Sequence, residues 1–261
     1  MAGLDAVMDV NFGLTAADYG RFRAGFPASL FVRLEAEGVI EPGLRVLDLG
    51  TGTGSLGRGF ARRGCAVVGL DLSPDMIAEA RALDAAAGFA GAYLAGSANR
   101  VGLASEAFDT VAAGQCWHWF DRAAAAGEAR RVLKPGGRLV IAHFDWIPLP
   151  GNLVEATESL IREHNPDWAF GGGNGLHPDW LADAAMAGFE GLETFSFDEA
   201  VTYSHEAWRG RIRASAGVGA SLPPACVAAF DSALAAVLAE RFPDDPQAVP
   251  HRVFCMTAWA P

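Results

Sequence analysis

The stretch Val46-Leu-Asp-Leu-Gly-Thr-Gly-Thr-Gly-Ser-Leu-Gly57 decides the fold of this chain of 261 residues. A short apolar run is followed by closely spaced glycines and then by a segment with helical spacing, which predicts a strand, a tight turn and a helix. Glycine permits the positive φ angles of such a turn, and the helix start presents free N–H groups to a ligand. Two ligand classes compete for this turn. Gly52-x-Gly54-x-x-Gly57 has the spacing of a dinucleotide-binding loop, whereas Asp48-x-Gly50-x-Gly52-x-Gly54 is a longer and different motif.

The acidic residues around the turn distinguish the two ligand classes. Asp48 lies two residues before the first glycine, where its charge would repel a pyrophosphate but attract an ammonium group. An adenosine ligand that ends in an amino acid needs such an acid, and a dinucleotide does not. Asp71 lies 17 residues after Gly54, near the spacing of about 20 residues that is typical of an acid binding ribose hydroxyls. A glycine turn that serves packing alone is the alternative interpretation.

Beyond the turn, short apolar runs alternate with helical patterns, which predicts a parallel sheet covered on both faces. Seven strands are predicted, at Arg45–Leu49, Ala66–Leu70, Ala92–Ala95, Phe108–Ala113, Arg138–Phe144, Leu192–Phe197 and His251–Trp259. The expected fold class is α/β, with a Rossmann-like, mostly parallel sheet, an antiparallel last strand, helices on both faces, and helical lid insertions after strands five and six. We expect one domain, residues 1–261. Its core would comprise about 30–145, 186–200 and 248–261, and its lid about 1–29, 146–185 and 201–247.

Local signals add detail to this plan. Ser73 and Asp121 each precede a helical pattern and are predicted to cap a helix. Pro135-Gly136-Gly137 predicts a turn immediately before strand five.

Composition and charge restrict the class of protein. With 51% hydrophobic and 20% charged residues, a sizeable core is expected rather than disorder. The net charge of −11 would repel a phosphate backbone and argues against nucleic-acid binding. The first residues lack the positive start and apolar run of a signal peptide, and no apolar run reaches the roughly 18 residues of a membrane span. We therefore expect a cytoplasmic protein, monomeric or homodimeric, without membrane association.

The cysteines indicate no metal framework. Cys65, Cys116, Cys226 and Cys255 are widely spaced and form no Cys-x-x-Cys pair. This pattern favours reduced thiols, and we expect no metal cofactor.

Four motifs together resemble the class I S-adenosylmethionine (SAM)-dependent methyltransferases. In chain order they are Val46-Leu-Asp-Leu-Gly-Thr-Gly-Thr-Gly54, Val68-Gly-Leu-Asp-Leu-Ser-Pro-Asp-Met76, Phe108-Asp-Thr-Val111 and Arg131-Val-Leu-Lys-Pro-Gly-Gly137. Two further segments resemble the type 11 methyltransferases, in the branch of trans-aconitate and other small-acid methyltransferases. These are Tyr19-Gly-Arg-Phe-Arg-Ala-Gly-Phe-Pro27 and Gly114-Gln-Cys-Trp-His-Trp-Phe-Asp121. The resemblance implies SAM as cofactor, S-adenosylhomocysteine (SAH) as product, and a small-molecule acceptor.

The resemblance also implies which residues hold the cofactor. Gly50, Thr51 and Gly52 would approach the methionine part of SAM, Asp71 would bind both ribose hydroxyls, and Leu72 and Met76 would enclose the adenine. Ser97 and Ala98 stand where many relatives carry an acid that accepts a hydrogen bond from the adenine amino group, and the Ser97 hydroxyl is a weaker acceptor. Tyr19 and Arg23 would meet the carboxylate, and Asp48 and Gln115 complete the set. Leu72 and Met76 could instead belong to the core.

The segment 114–121 after strand four is predicted to contact the methyl acceptor, because ligands of open α/β sheets bind beyond the carboxyl ends of the strands. Gln115, Trp117 and His118 are candidates, whereas Trp119 and Phe120 are better explained as anchors of the next helix. A base is needed only if the acceptor must lose a proton. His118, whose ordinary pKa lies near neutrality, is the first candidate base and His143 is the second, although either could be a hydrogen-bonded core histidine.

Residues after strand five complete the predicted site. Trp146 could form a pocket wall, and Arg211 or Arg213 could meet an anionic substrate. A solvated, ion-paired helix face is the alternative for these arginines.

The sequence therefore predicts a SAM-dependent methyltransferase that transfers a methyl group to an O or N atom of a small molecule, with anionic acceptors included. An NAD(P)-dependent oxidoreductase and a non-catalytic SAM-binding protein are the alternatives. The oxidoreductase is disfavoured because no Tyr-x-x-x-Lys pair accompanies the glycines.

Overall fold

The computed structural model describes residues 20–261, in which seven strands form one sheet in the order β3-β2-β1-β4-β5-β7-β6. Six strands run parallel and the last is antiparallel, so the predicted fold class is confirmed. The strands are β1 (Arg45–Leu49), β2 (Ala66–Asp71), β3 (Ala92–Ala95), β4 (Phe108–Gly114), β5 (Leu133–Trp146), β6 (Glu190–Tyr203) and β7 (Gln247–Trp259). Strands β1, β4 and β5 contain long buried runs, since both faces of the sheet are covered there.

Eight α-helices are described among residues 20–261, together with a short 3-10 helix at Trp117–Trp119. They are α1 (Ala28–Ala36), α2 (Ser55–Ala61), α3 (Pro74–Ala86), α4 (Arg122–Val132), α5 (Leu153–His164), α6 (Trp180–Met186), α7 (His205–Arg213) and α8 (Pro224–Arg241). The predicted caps are confirmed. The Ser73 hydroxyl accepts a hydrogen bond from the Met76 N–H, and the Asp121 carboxylate accepts one from the Ala124 N–H.

Strands β5, β6 and β7 differ most from the sequence prediction, and β7 begins at Gln247 rather than at His251. The predicted turn at Pro135-Gly136-Gly137 lies inside β5 as a bulge, because Phe108 pairs with Leu133 while Thr110 pairs with Arg138. Gly136 has a φ of +77° there, which explains why turn residues occur within a strand. Strand β6 is longer than predicted at both ends. Its polar, exposed positions interrupt the apolar run that the sequence prediction followed, as suits a strand at the sheet edge.

The described chain divides into two compact units. The first comprises residues 24–145, 175–199 and 251–261, and it contains β1 to β4 and the buried cluster around Leu47, Val111 and Ile141. The second comprises residues 20–23, 146–174 and 200–250, where α5 and α7 both contact α8. The assignment of a core and a lid stays a prediction.

The packing of α1 on α2 leaves no room for a side chain at Gly59. A Cβ atom there would lie 1.9 Å from the Phe31 ring, which is buried and fixed edge-on against Phe60. We expect Gly59→Ala to lower the free energy of unfolding by about 1–3 kcal/mol, as overpacked cores do. Gly127→Ala in α4 is the matched control, because no atom of residues 20–261 outside its own helix lies within 4 Å of its Cβ position. It should stabilise by about 0.5–1 kcal/mol through helix propensity. Urea unfolding of both variants checks this, and equal effects would contradict it.

Candidate active site

The turn between β1 and α2 requires its glycines. Gly50, Gly52 and Gly54 have φ angles of +60°, +54° and +79°, which L side chains rarely adopt. A Cβ atom on Gly50 would also lie 2.9 Å from both the Cys116 Sγ and the Phe120 ring. The chain that follows β4 therefore packs directly against the glycine turn, and the two segments form one surface at the carboxyl end of the sheet.

Asp48 stabilises this turn through two hydrogen bonds to one of its carboxylate oxygens. Its Oδ2 accepts hydrogen bonds from the Thr51 hydroxyl at 2.6 Å and from the Gly57 N–H at 3.0 Å. The residue is only 1% exposed, and its other oxygen, Oδ1, is buried without a hydrogen-bond partner among the described residues. Burial raises the pKa of Asp48 to about 7, even though both hydrogen bonds favour the ionised form. One carboxylate oxygen therefore stabilises the turn, and the other could accept a further hydrogen bond.

Asp71 fastens the other side of the same turn. Its Oδ2 accepts a hydrogen bond from the Gly52 N–H at 2.8 Å, and its Oδ1 accepts one from the Ser73 N–H at 2.9 Å. The adjacent Leu72 side chain is 74% exposed, whereas Met76 is buried with its methyl group beside Gly52. The structure thus brings Gly52, Asp71, Leu72 and Met76 together at the carboxyl end of β2.

The remaining predicted cofactor residues differ from one another in burial and in hydrogen bonding. The Ser97 hydroxyl accepts a hydrogen bond from the Asn99 N–H at 3.2 Å, and Ala98 is buried in the core cluster. Gln115 adopts a φ of +62°, and its side-chain amide donates a hydrogen bond to the Phe144 carbonyl. Arg23 is partly buried, and Tyr19 lies outside the described residues.

In the segment 114–121 after β4, Trp117 is buried whereas His118 is exposed. Trp117 is fully buried, and its indole N–H donates a hydrogen bond to the Asp183 carboxylate at 3.0 Å. This burial gives Trp117 a role in packing, and it corrects the expectation that its side chain faces a substrate. His118 is exposed, and its ring centroid lies 5.2 Å from that of His143.

His143 lies at the carboxyl end of β5 in a cluster that sequence analysis found only in part. It is 3% exposed, and its Nδ1 lies 3.3 Å from the Asp145 Oδ2. The same oxygen lies 2.9 Å from the Nε2 of His177. Burial alone would raise the pKa of Asp145, but the charges and hydrogen bonds of His143 and His177 outweigh it and hold that pKa below its ordinary range. The spacing of His143 and Asp145 on one face of a strand was a signal for this pair, whereas nothing local indicates His177.

The predicted substrate residues Trp146, Arg211 and Arg213 lie in the second unit. The Trp146 N–H donates a hydrogen bond to Glu158 at 2.9 Å, and the Arg211 guanidinium lies 4.7 Å from the centroid of the Trp146 ring. Arg211 is only 7% exposed, so it is not part of a solvated face. Arg213 forms ion pairs with Asp231 at 2.8 Å and with Glu206 at 3.1 Å. These pairs agree with the alternative interpretation of this segment as an ion-paired helix face.

Comparison with known proteins finds similarity over the region that contains the glycine turn and the residues that follow β4. Residues 47–141 match the family described as a methyltransferase domain. An uncharacterized methyltransferase of Mycobacterium bovis is 38% identical over 164 residues, and the alignment covers 60% of this chain and 63% of that protein. A malonyl-[acyl-carrier protein] O-methyltransferase of Pectobacterium atrosepticum is 36% identical over 152 residues, covering 58% of this chain and 56% of that protein. The chain thus spans less than two thirds of the length of these relatives.

A solved structure extends the similarity to the whole described fold. It is phosphoethanolamine N-methyltransferase 2 of Haemonchus contortus in complex with phosphomonomethylethanolamine and SAH. The TM-score is 0.57 at 22% identity, and the superposition covers 99% of this chain and 59% of that chain. At this identity the likeness establishes the fold alone. Within residues 20–261, the helices are all too short or too polar to span a bilayer.

The raised pKa of Asp48 predicts a pH-dependent stability. Between about pH 4 and pH 7 the folded state keeps the Asp48 proton that the unfolded state loses, so this group makes folding less favourable as pH rises. Relative to the wild type, Asp48→Asn should therefore gain stability from pH 5 to pH 8. Only the interval from pH 5 to the folded pKa of about 7 contributes, so the upper bound on this gain is about 3 kcal/mol, at about 1.4 kcal/mol per pKa unit.

Urea unfolding at both pH values measures this gain. The comparison between variants is essential because acids of lowered pKa, such as Asp145, act in the opposite sense. Asp167→Asn, at an exposed position, is the control and should show no change in its difference from the wild type. If the difference in free energy of unfolding between Asp48→Asn and the wild type were the same at both pH values, the burial argument would be wrong.

Proposed function

We propose that this chain, in which residues 47–141 match a methyltransferase domain, is a class I methyltransferase that transfers a methyl group from SAM to an O or N atom of a small molecule. The observation that carries the proposal is the glycine turn held between two carboxylates, Asp48 and Asp71. The alternative of a dinucleotide cofactor is disfavoured because Asp48 would place a second negative charge beneath a pyrophosphate.

The residues around the turn fit SAM. Asp71 lies at the end of β2 with both oxygens already aligned by backbone N–H groups, an arrangement that supports hydrogen bonding to two ribose hydroxyls. The exposed Leu72 side chain offers an apolar face for the adenine. The buried, unpartnered Oδ1 of Asp48 supports an ammonium group, or a water molecule bound to one, on the amino-acid side. SAM, when bound, supplies the methyl group as a sulfonium electrophile.

The protein contributes orientation, exclusion of water and a place for the acceptor proton. We assign the base to His118, because its imidazole is exposed just beyond β4 while His143 is buried against Asp145. For a hydroxyl acceptor, an imidazole nitrogen of His118 takes the O–H proton as the acceptor oxygen forms its bond to the methyl carbon. Bound SAM would supply the methyl carbon, and SAH would leave with the electron pair of the methyl–sulfur bond.

The acceptor we propose is small, and an anionic acceptor fits. The net charge of −11 disfavours a nucleic acid, and the malonyl group named for the Pectobacterium relative carries a carboxylate. Arg211, whose guanidinium lies over the Trp146 ring, is our candidate to meet an anion, whereas Arg213 already forms ion pairs with Asp231 and Glu206. The trans-aconitate branch, the monomeric or dimeric state and the cytoplasmic location stay predictions.

Cofactor class is tested by ligand stabilisation. We expect SAH to raise the melting temperature and NAD to leave it unchanged, because a ligand at 100 times its Kd stabilises by about 2.7 kcal/mol. Asp71→Ala should lose the SAH effect, and Asp71→Asn should weaken it. Asp75→Ala, at an exposed site in the first turn of α3, is the matched control and should respond as the wild type does. Stabilisation by NAD instead of SAH would overturn the proposal.

The role of His118 is tested with paired acceptors. We expect His118→Ala to lower kcat for hydroxyl acceptors by about 10²–10⁴-fold, the usual contribution of a general base, and to spare carboxylate acceptors, which need no base. SAH formation over a panel of both classes measures this. An equal loss for both classes would assign His118 to positioning rather than proton transfer. If SAH binds but no acceptor in the panel is methylated, the non-catalytic alternative is favoured.

A further inference from the structure

The carboxyl end of β5 carries a cluster that the proposed methyl transfer does not use. We propose that His143, Asp145 and His177 bind one divalent transition-metal ion. The sequence led us to expect no metal, because the cysteines lack paired spacing. This cluster contains no cysteine, and His177 lies 32 residues from Asp145 along the chain.

The donor atoms are already grouped as a metal site requires. One ligand atom from each residue lies within 4.8 Å of the others. The Asp145 Oδ2 lies 2.9 Å from the His177 Nε2 and 3.3 Å from the His143 Nδ1. Around an ion with bonds of about 2.1 Å, neighbouring donors lie about 3.0–3.4 Å apart in octahedral or tetrahedral geometry. The Asp145–His143 distance lies within this range and the Asp145–His177 distance lies just below it, so small side-chain adjustments would accommodate an ion.

Aromatic side chains hold both imidazoles in place. The His177 ring stacks on Trp180 with a centroid separation of 4.0 Å and an interplanar angle of 3°, and it meets the edge of Phe254 at 5.5 Å. The His143 ring lies 4.7 Å from Trp180 and is almost completely buried. A hydrophobic shell of this kind restricts ring rotation and strengthens the interaction of the ligands with a cation.

The donor set selects the class of metal. Two imidazoles and one carboxylate suit borderline ions such as Zn²⁺, Fe²⁺ and Co²⁺, whereas Mg²⁺ and Ca²⁺ prefer oxygen ligands. Three protein ligands also leave at least one coordination position open, as in catalytic rather than structural sites. The cluster therefore has the composition of a site that binds an exchangeable fourth ligand.

The neighbouring His118 suggests what the open position would bind. Its ring lies 5.2 Å from that of His143, so the proposed base and the proposed ion would act on the same region. An acceptor oxygen bound to the ion would lose its proton to His118 more readily, because a divalent cation lowers the pKa of a coordinated hydroxyl group. This consequence rests on the proposed methyl transfer, whereas metal binding itself does not.

Metal binding is tested on the full chain after treatment with a chelator. We expect one Co²⁺ per chain, with visible absorption bands that Zn²⁺ abolishes by displacement and that excess Mg²⁺ does not affect. His177→Gln and Asp145→Asn should each weaken Co²⁺ binding by at least tenfold. His164→Gln and Asp167→Asn are matched controls at positions outside the cluster and should bind as the wild type does.

Thermal unfolding of each variant keeps the result interpretable, because His177 is partly exposed in a loop and its replacement should leave the fold intact. Absence of Co²⁺ binding by the folded wild type would overturn the proposal, as would unchanged binding by the folded His177→Gln and Asp145→Asn variants. Methyl transfer is measured separately with chelated and reloaded protein. Co²⁺ binding without any methyl transfer would leave the metal site standing and count against the proposed function alone.

Discussion

The buried carboxylate of Asp48 is the interaction on which the rest of the site depends. One oxygen holds both the Thr51 hydroxyl and the Gly57 N–H, so it fixes the glycine turn at its beginning and the first turn of α2 at the same time. Within the turn, the Gly52 N–H donates a hydrogen bond to Asp71. Gly50 packs against the chain that follows β4. Removing that anchor would release the segments that bring the ends of β1, β2 and β4 into one surface.

Burying Asp48 makes ionisation of its carboxyl group less favourable. Burial raises its pKa to about 7, which means that the ionised form is markedly less favourable here than in water. A side chain whose only role was to accept two hydrogen bonds could be replaced by asparagine without that cost. The spare, buried Oδ1 is consistent with a second role towards a cationic ligand group, which would offset the cost of ionisation when it binds.

The sequence predicted those parts of the site that depend on neighbouring residues. The turn at Gly50–Gly54, the acid at Asp71 and the cap at Ser73 follow from local backbone requirements, and each can be recognised in a short stretch of chain. Trp117 was misassigned because its burial depends on Asp183, a residue of α6 that no local pattern connects to it. His177 was missed for the same reason. Its contact with Asp145 is created by tertiary packing on Trp180 and by the turn that precedes α6.

The backbone at Gln115 links the two ends of the proposed acceptor region. A φ of +62° is unfavourable for a residue with a side chain and persists only where the surroundings compensate. Here the side-chain amide donates a hydrogen bond to the Phe144 carbonyl, and the Gln115 N–H donates one to the Ala142 carbonyl. These bonds tie the chain leaving β4 to β5. The backbone of the segment that carries His118 is therefore held next to the strand that carries His143, as the proposed acceptor region would require.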